Sequence, residues 1–178
     1  IFSNIKPKDI FLIGIDRSSI ISNLLYLIKD IQRGRQKMDI ARQYAEYAKN
    51  LDYNDLPEEV ILHVKKAVLD IMGNDIGGYE WMESGPSIID GIRVINRGNG
   101  GATVLATGES MAPEWASFAN ASMAHSLDYD NHHAKGVIHA GGSVVNCALA
   151  AAEENNSNGK ELIVSVVIGY EIACRLAM

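Results

Sequence analysis

The sequence predicts an all-α protein, and three observations carry the prediction. After residue 37, apolar residues recur at intervals of three and four through six successive segments, the spacing that gathers them on one face of a helix. Prolines stand at or near the openings of three of those segments, where a missing amide hydrogen costs nothing. A single short run, 102–107, has a β-like texture.

The first 37 residues differ from the rest: they are rich in isoleucine, begin with Ile1 and close on the basic stretch RGRQK. Leu24, Leu25, Ile28 and Ile31 would share one side of a helix, although an irregular extension accounts for the same residues more simply. The apolar runs 10–15 and 18–28 are divided by Asp16 and Arg17, and neither is long enough to span a bilayer. No small-residue cleavage site follows them, so a secretory leader is not expected. Met38 stands directly before the first regular helix, and the folded domain is expected over 38–178.

The first helix is expected from Met38 to Leu51, with Ile40, Ala41, Tyr44, Ala45, Tyr47, Ala48 and Leu51 on its apolar face. Pro57 opens the second, Glu58 and Glu59 complement its positive end, and Val60, Ile61, Val64, Ala67, Val68, Ile71, Met72 and Ile76 point inward until Gly77 and Gly78 stop it. Asp70 and Asp75 fall near this stripe, where a catalytic role is one reading, but they are expected rather to cap or to lie partly exposed. Ser84 and Pro86 begin a third helix with Ile88, Ile89, Ile92 and Ile95 buried, while Arg93 and Arg97 belong to solvent. The glycines at 98, 100 and 101 form a plain turn, since no lysine or strand-loop-helix order supports a phosphate cradle.

Pro113 starts a fourth helix carrying Trp115, Phe118, Ala119, Ser122 and Met123, and its many alanines predict close packing. The fifth is expected over 143–154. Asn158 and Glu161 have the spacing of a capping box for the sixth, which buries Leu162, Val166, Val167, Tyr170 and Ala173. That last helix meets no stop signal before Met178, so the sequence is expected to continue in the natural protein.

At 178 residues and 47% apolar composition, one soluble domain is the default. The net charge of -6 is spread along the chain and leaves no basic footprint for nucleic acid. Cys147 and Cys174 lie in apolar helical patterns, which predicts two small buried thiols in a reducing compartment, the cytoplasm.

Chemistry concentrates in one stretch, HSLDYDNHHAKGVIHAGG at 125–142, which holds two carboxylates and four of the five histidines. It reads as a polar loop between two buried helices, a common address for an active site. Asp128, Asp130, His132, His133 and His139 admit three readings. The first is acid-base catalysis, with Asp128 and His139 facing each other and Gly136, Gly141 and Gly142 letting the backbone bend back. The second is a zinc or iron site, although the spacing matches no familiar ligand signature. The third is a solvated loop whose histidines cap helix ends.

Several segments, in order, resemble the N-terminal part of the MmgE/PrpD family: AVLDIMGNDIGG (67–78), ATVLATG (102–108), FANASMAHSLDYD (118–130), HAGGSVV (139–145) and GYEIACRL (169–176). The resemblance covers nearly all of 38–178, and its most specific part is the H-x-L-D-[FY]-D core followed by a histidine and glycine. It implies an all-helical large domain, a smaller α+β lid domain elsewhere in the whole protein, and chemistry with no metal or organic cofactor. The substrate class it implies is a citrate-like tricarboxylate, through dehydration of 2-methylcitrate or decarboxylation of cis-aconitate, in a cytoplasmic homodimer.

Carried over by position, the family's loop aspartate falls on Asp128 and its loop histidine on His139, the expected catalytic pair. Asp130 matches an acidic neighbour and His132 a polar position close to the substrate. Asn131 stands where aspartate is frequent, and Ala140 follows His139 where proline is usual, which loosens the backbone that aims this histidine. The family's further histidine, lysines and tyrosine have no counterpart before Met178, and Lys135 is the loop's sole cation. The competing expectation is therefore a non-catalytic remnant or a helical association domain.

Overall fold

A computed structural model describes residues 39–96 and 100–178. The expected extension over 1–37, its candidate helix around Leu24 to Ile31, the boundary at Met38, and Arg97 and Gly98 lie outside the described residues. Within them the chain is mostly helical, with six α-helices and a two-stranded antiparallel hairpin. No helix among the described residues is long and apolar enough to cross a membrane.

Helix α1 (Ile40–Asn50) is opened by the Asp39 carboxylate, which accepts from the amide of Ala41 at 3.1 Å. Of the expected apolar face it buries Tyr47, joined by Gln43, while Ile40, Ala41 and Ala45 are left exposed. The reason lies in what the helix meets. Tyr47 lies close to the buried Glu171 and its ion-pair partner Arg175, and a polar aromatic suits that surface better than an aliphatic stripe. Burial, with Glu171 beside it, pushes the pKa of the Tyr47 hydroxyl up.

After a single 3₁₀ turn (Tyr53–Asp55), helix α2 (Glu58–Trp81) starts behind Pro57 with Glu58 and Glu59 in its first turn. It runs straight through Gly77 and Gly78, which were expected to stop it. Both glycines are buried where the next layer comes too close for side chains. A β-carbon at Gly78 would overlap the Met123 carbonyl and stand 2.6 Å from Ser126 Oγ, and one at Gly77 would stand 3.0 Å from Leu127 Cδ1. Val60, Val64 and Ile71 point inward as expected, but Ile76 is turned out and Asp75 takes the buried position, wholly shielded from solvent. Asp70 is exposed.

Helix α3 (Ser84–Ile95) buries Ile89 and Ile92, while Ile95, on the last turn, is exposed. Arg93 is not simply solvated: it pairs with Asp90 at 2.6 Å and with Glu109. The β-like run contracts to β1 (Ala102–Thr103), paired with β2 (Ser110–Met111). Between them the chain turns, with Gly108 in the left-handed region at φ 72°. Asn120 ties this hairpin to α4 (Pro113–Ser126), accepting from Leu105 N at 3.0 Å and donating to Thr103 O at 2.9 Å.

Helix α5 (Ala140–Glu154) begins three residues before the expected Ser143, so Gly141 and Gly142 are helical rather than hinges. Helix α6 (Gly159–Leu176) carries the capping box: Asn158 Oδ1 accepts from the amides of Lys160 and Glu161, and Glu161 Oε2 accepts from the Asn158 amide at 2.8 Å. Cys174 is buried; Cys147, expected to be, is exposed, because it lies on the outer face of α5.

Two apolar clusters hold these elements. One joins α2, α5 and α6 through Val64, Ile71, Val145, Val166, Val167 and Tyr170. The other joins α3, the hairpin and α4 through Ile89, Ile92, Val104, Met111 and Met123. Helices α2, α4 and α5 meet between them, and the polar loop leaves this junction.

Candidate active site

The loop spans 127–139, between the end of α4 and the first turn of α5. Its path is set by a few local constraints. Asp128 adopts a left-handed conformation, φ 55°, which aspartate tolerates better than most residues and which swings its side chain outward. The His133 amide donates to the Ile138 carbonyl at 2.8 Å, and the Gly136 amide donates to His133 Nδ1 at 3.0 Å, closing a tight reverse turn. His133 is thus buried and its Nδ1 is spent as an acceptor, which makes it part of the loop's frame. Asn131 Nδ2 donates to Tyr170 Oη at 2.7 Å, fastening the loop to α6, and burial raises the pKa of that phenol to about 12. A side chain at Gly141 would collide with this pair.

These constraints aim four residues at one point. The Asp130 side chain is 1% exposed and serves two histidines at once. His139 Nδ1 lies 3.0 Å from its Oδ1, and His125 Nδ1 lies 3.1 Å from Oδ1 and 3.3 Å from Oδ2. The His139 ring has its other nitrogen, Nε2, 3.9 Å from Oδ1 of Asp128, whose side chain is 82% exposed. The expected pair therefore does face each other, on the open side, while Asp130 backs the histidine from the closed side. His132 and His125 flank the same ring, with centroids 4.9 and 5.0 Å from it.

An imidazole whose Nδ1–H is donated to a buried carboxylate presents a bare Nε2 on its other side, oriented and ready to accept a proton. That is the arrangement around His139. The donor atoms of His125, Asp128, Asp130 and His139 also lie within 4.8 Å of one another, a set that zinc or iron accepts. Both Nδ1 nitrogens already lie within hydrogen-bond distance of Asp130, and a metal bound through either would have to take the place of that contact.

Spacing did not identify His125 as a member of the cluster, nor Asp130 as the carboxylate behind His139. The helical register of α4 held a signal for the first, since His125 lies on its last turn and five residues before Asp130. Asp75, the other buried aspartate, is by residue type expected to cap or lie partly exposed, although the helical phase of α2 places it inward.

The family model for the MmgE/PrpD N-terminal domain matches residues 42–178. Among curated proteins, the chain is 21% identical over 147 residues to the cis-aconitate decarboxylase-like protein oryM of Aspergillus oryzae, covering 78% of this chain and 30% of that protein. It is 22% identical over 147 residues to the cis-aconitate decarboxylase of Aspergillus terreus, covering 79% of this chain and 29% of that protein. The chain thus spans less than a third of the length of these relatives. No solved structure matches it.

Proposed function

Since the chain belongs to the MmgE/PrpD family, we propose that it carries the acid-base end of a lyase site for citrate-like tricarboxylates, with decarboxylation of cis-aconitate as the first candidate and dehydration of 2-methylcitrate as the second. One observation carries this reading: His139 is held at Nδ1 by a buried carboxylate and opens Nε2 toward Asp128. The names of its relatives favour the decarboxylation.

In that reaction the C–C bond to a carboxylate breaks, carbon dioxide leaves, and the electron pair left on carbon must be stabilised and protonated. A protonated His139 delivers the proton from Nε2, and Asp130 stabilises the imidazolium before transfer. In the dehydration, one member of the Asp128–His139 pair removes a proton from the carbon next to a carboxylate and the other protonates the departing hydroxyl. Asp130 then orients rather than touches the substrate, as its burial requires, and His132 remains on the exposed side for substrate contact.

A tricarboxylate needs cationic partners, and the loop offers Lys135 alone among its residues. The remaining cations would come from outside these residues, so this chain by itself is expected to turn over little substrate. The test is turnover of cis-aconitate and 2-methylcitrate by the longest natural product of the gene, before and after His139→Ala. Loss of turnover in the variant supports the reading; unchanged turnover overturns it.

A further inference from the structure

Asp75 lies in the middle of α2 with no exposed surface, and a buried carboxyl group is costly unless something uses it. Its Oδ1 accepts from Asn146 Nδ2 at 3.0 Å, across the α2–α5 interface. The same Nδ2 donates to the carbonyl of Gly142 at 3.0 Å, in the first turn of α5. Gly142 in turn rests on the site: a β-carbon there would lie 3.5 Å from Asp130 Oδ2 and 3.4 Å from Ala124 Cβ. His139 is the N-cap of that same turn. Hydrogen bonds thus lead from Asp75 through Asn146 to Gly142, in the helical turn that lies beside the carboxylate facing His125 and His139.

We propose that Asp75 is a positioning residue for the His139–Asp130 pair: through Asn146 it fixes the first turn of α5, where Gly142 places no side chain against Asp130 and His139 begins the helix. The proposal rests on the lyase reading for its consequence in catalysis, but the geometry it describes stands without it. Asp75 Oδ2 and Asn146 Oδ1 are both buried without a hydrogen-bond partner. Both are acceptors without a donor, and a protonated Asp75 carries a hydrogen that the pair otherwise lacks. Burial acts in the same direction, raising the pKa of this carboxyl to about 7 despite the opposing bond from Asn146.

The readout is the imidazole spectrum of this chain, in which nitrogen and ring-proton shifts report the tautomer and Nδ1 hydrogen bond of His139 without any turnover. Asp75→Ala is expected to lose the low-field Nδ1 proton of His139 and to mix its tautomers, at a temperature where circular dichroism shows the helices intact. Asp75→Asn, which keeps an acceptor and a hydrogen on the same frame, is expected to restore the native spectrum. A folded Asp75→Ala with the His139 spectrum unchanged overturns the proposal, as does an Asp75→Asn variant that behaves like the alanine one. If Asp75→Ala does not fold, Asn146→Ala carries the same expectation and the same refutation. Unfolding of both would make the pair a stability element and overturn the positioning role. Because no substrate is involved, failure of the lyase reading, seen as unchanged turnover in His139→Ala, is read separately.

Discussion

Two aspartates are buried, one within the loop and one in helix α2, and their surroundings differ. Asp130 faces two ring nitrogens, each of which is donor or acceptor according to its tautomer. Asp75 faces one amide, whose Nδ2 donates to it and which does not titrate, and one oxygen of each partner goes unpaired. Burial by itself therefore decides little. The two imidazoles beside Asp130 give it a place in the proposed acid-base site, whereas the amide beside Asp75 leaves it a carboxyl that burial keeps protonated up to about pH 7.

The largest expected effect separates the two directly. In the gene's longest natural product, His139→Ala and Asp130→Ala should each lower lyase turnover by roughly 10²- to 10⁴-fold, the usual weight of general acid-base catalysis. Asp128→Asn should cost less if His139 alone moves the proton, and comparably if the two act as a pair; steady-state rates with cis-aconitate decide between these.

The second test concerns stability against pH. The folded pKa of Asp75, about 7, lies above the ordinary aspartate value, so the folded state binds this proton more tightly than the unfolded chain does. Its contribution is fully present below about pH 4 and is lost as pH rises through about 7, by at most on the order of 4 kcal/mol. Urea unfolding at pH 5 and pH 8 should show this loss in the native protein and a flatter profile in Asp75→Asn, which should be the more stable of the two at pH 8. Equal pH profiles would mean that Asp75 is solvated or already ionised.

Smaller effects sharpen the same contrast by moving other parts of the frame. Gly78→Ala forces a methyl group against the Met123 carbonyl where α4 crosses α2, and overpacking of that kind typically costs about 1–3 kcal/mol. Asn158→Ala removes the cap of α6, far from both aspartates, for about 1 kcal/mol. Thermal unfolding should detect both, and the Asn158 variant should leave the histidine spectrum untouched.

Much of the helical frame was legible because periodicity and caps are local signals: the Asn158–Glu161 box and the prolines at 57 and 113 mark helix starts that the structure contains. The errors arose where tertiary contact overrides local preference. A glycine pair breaks an isolated helix, yet at 77 and 78 it lets α4 and the loop approach α2. Asp75 and Ile76 exchange their expected places because helical phase, and not polarity, sets which of them faces inward. The loop showed which residue types gather but not which carboxylate backs His139, since that depends on the left-handed turn at Asp128, a backbone feature that spacing does not reveal.

The most direct test is the ring-nitrogen spectrum of His139 in the native chain at neutral pH. Protonation at Nδ1, hydrogen-bonded and slow to exchange, with Nε2 bare, is the result that Asp130 at 3.0 Å predicts. A ring protonated at Nε2 with Nδ1 as the acceptor would contradict it, because no base would then be presented on the open side of the loop.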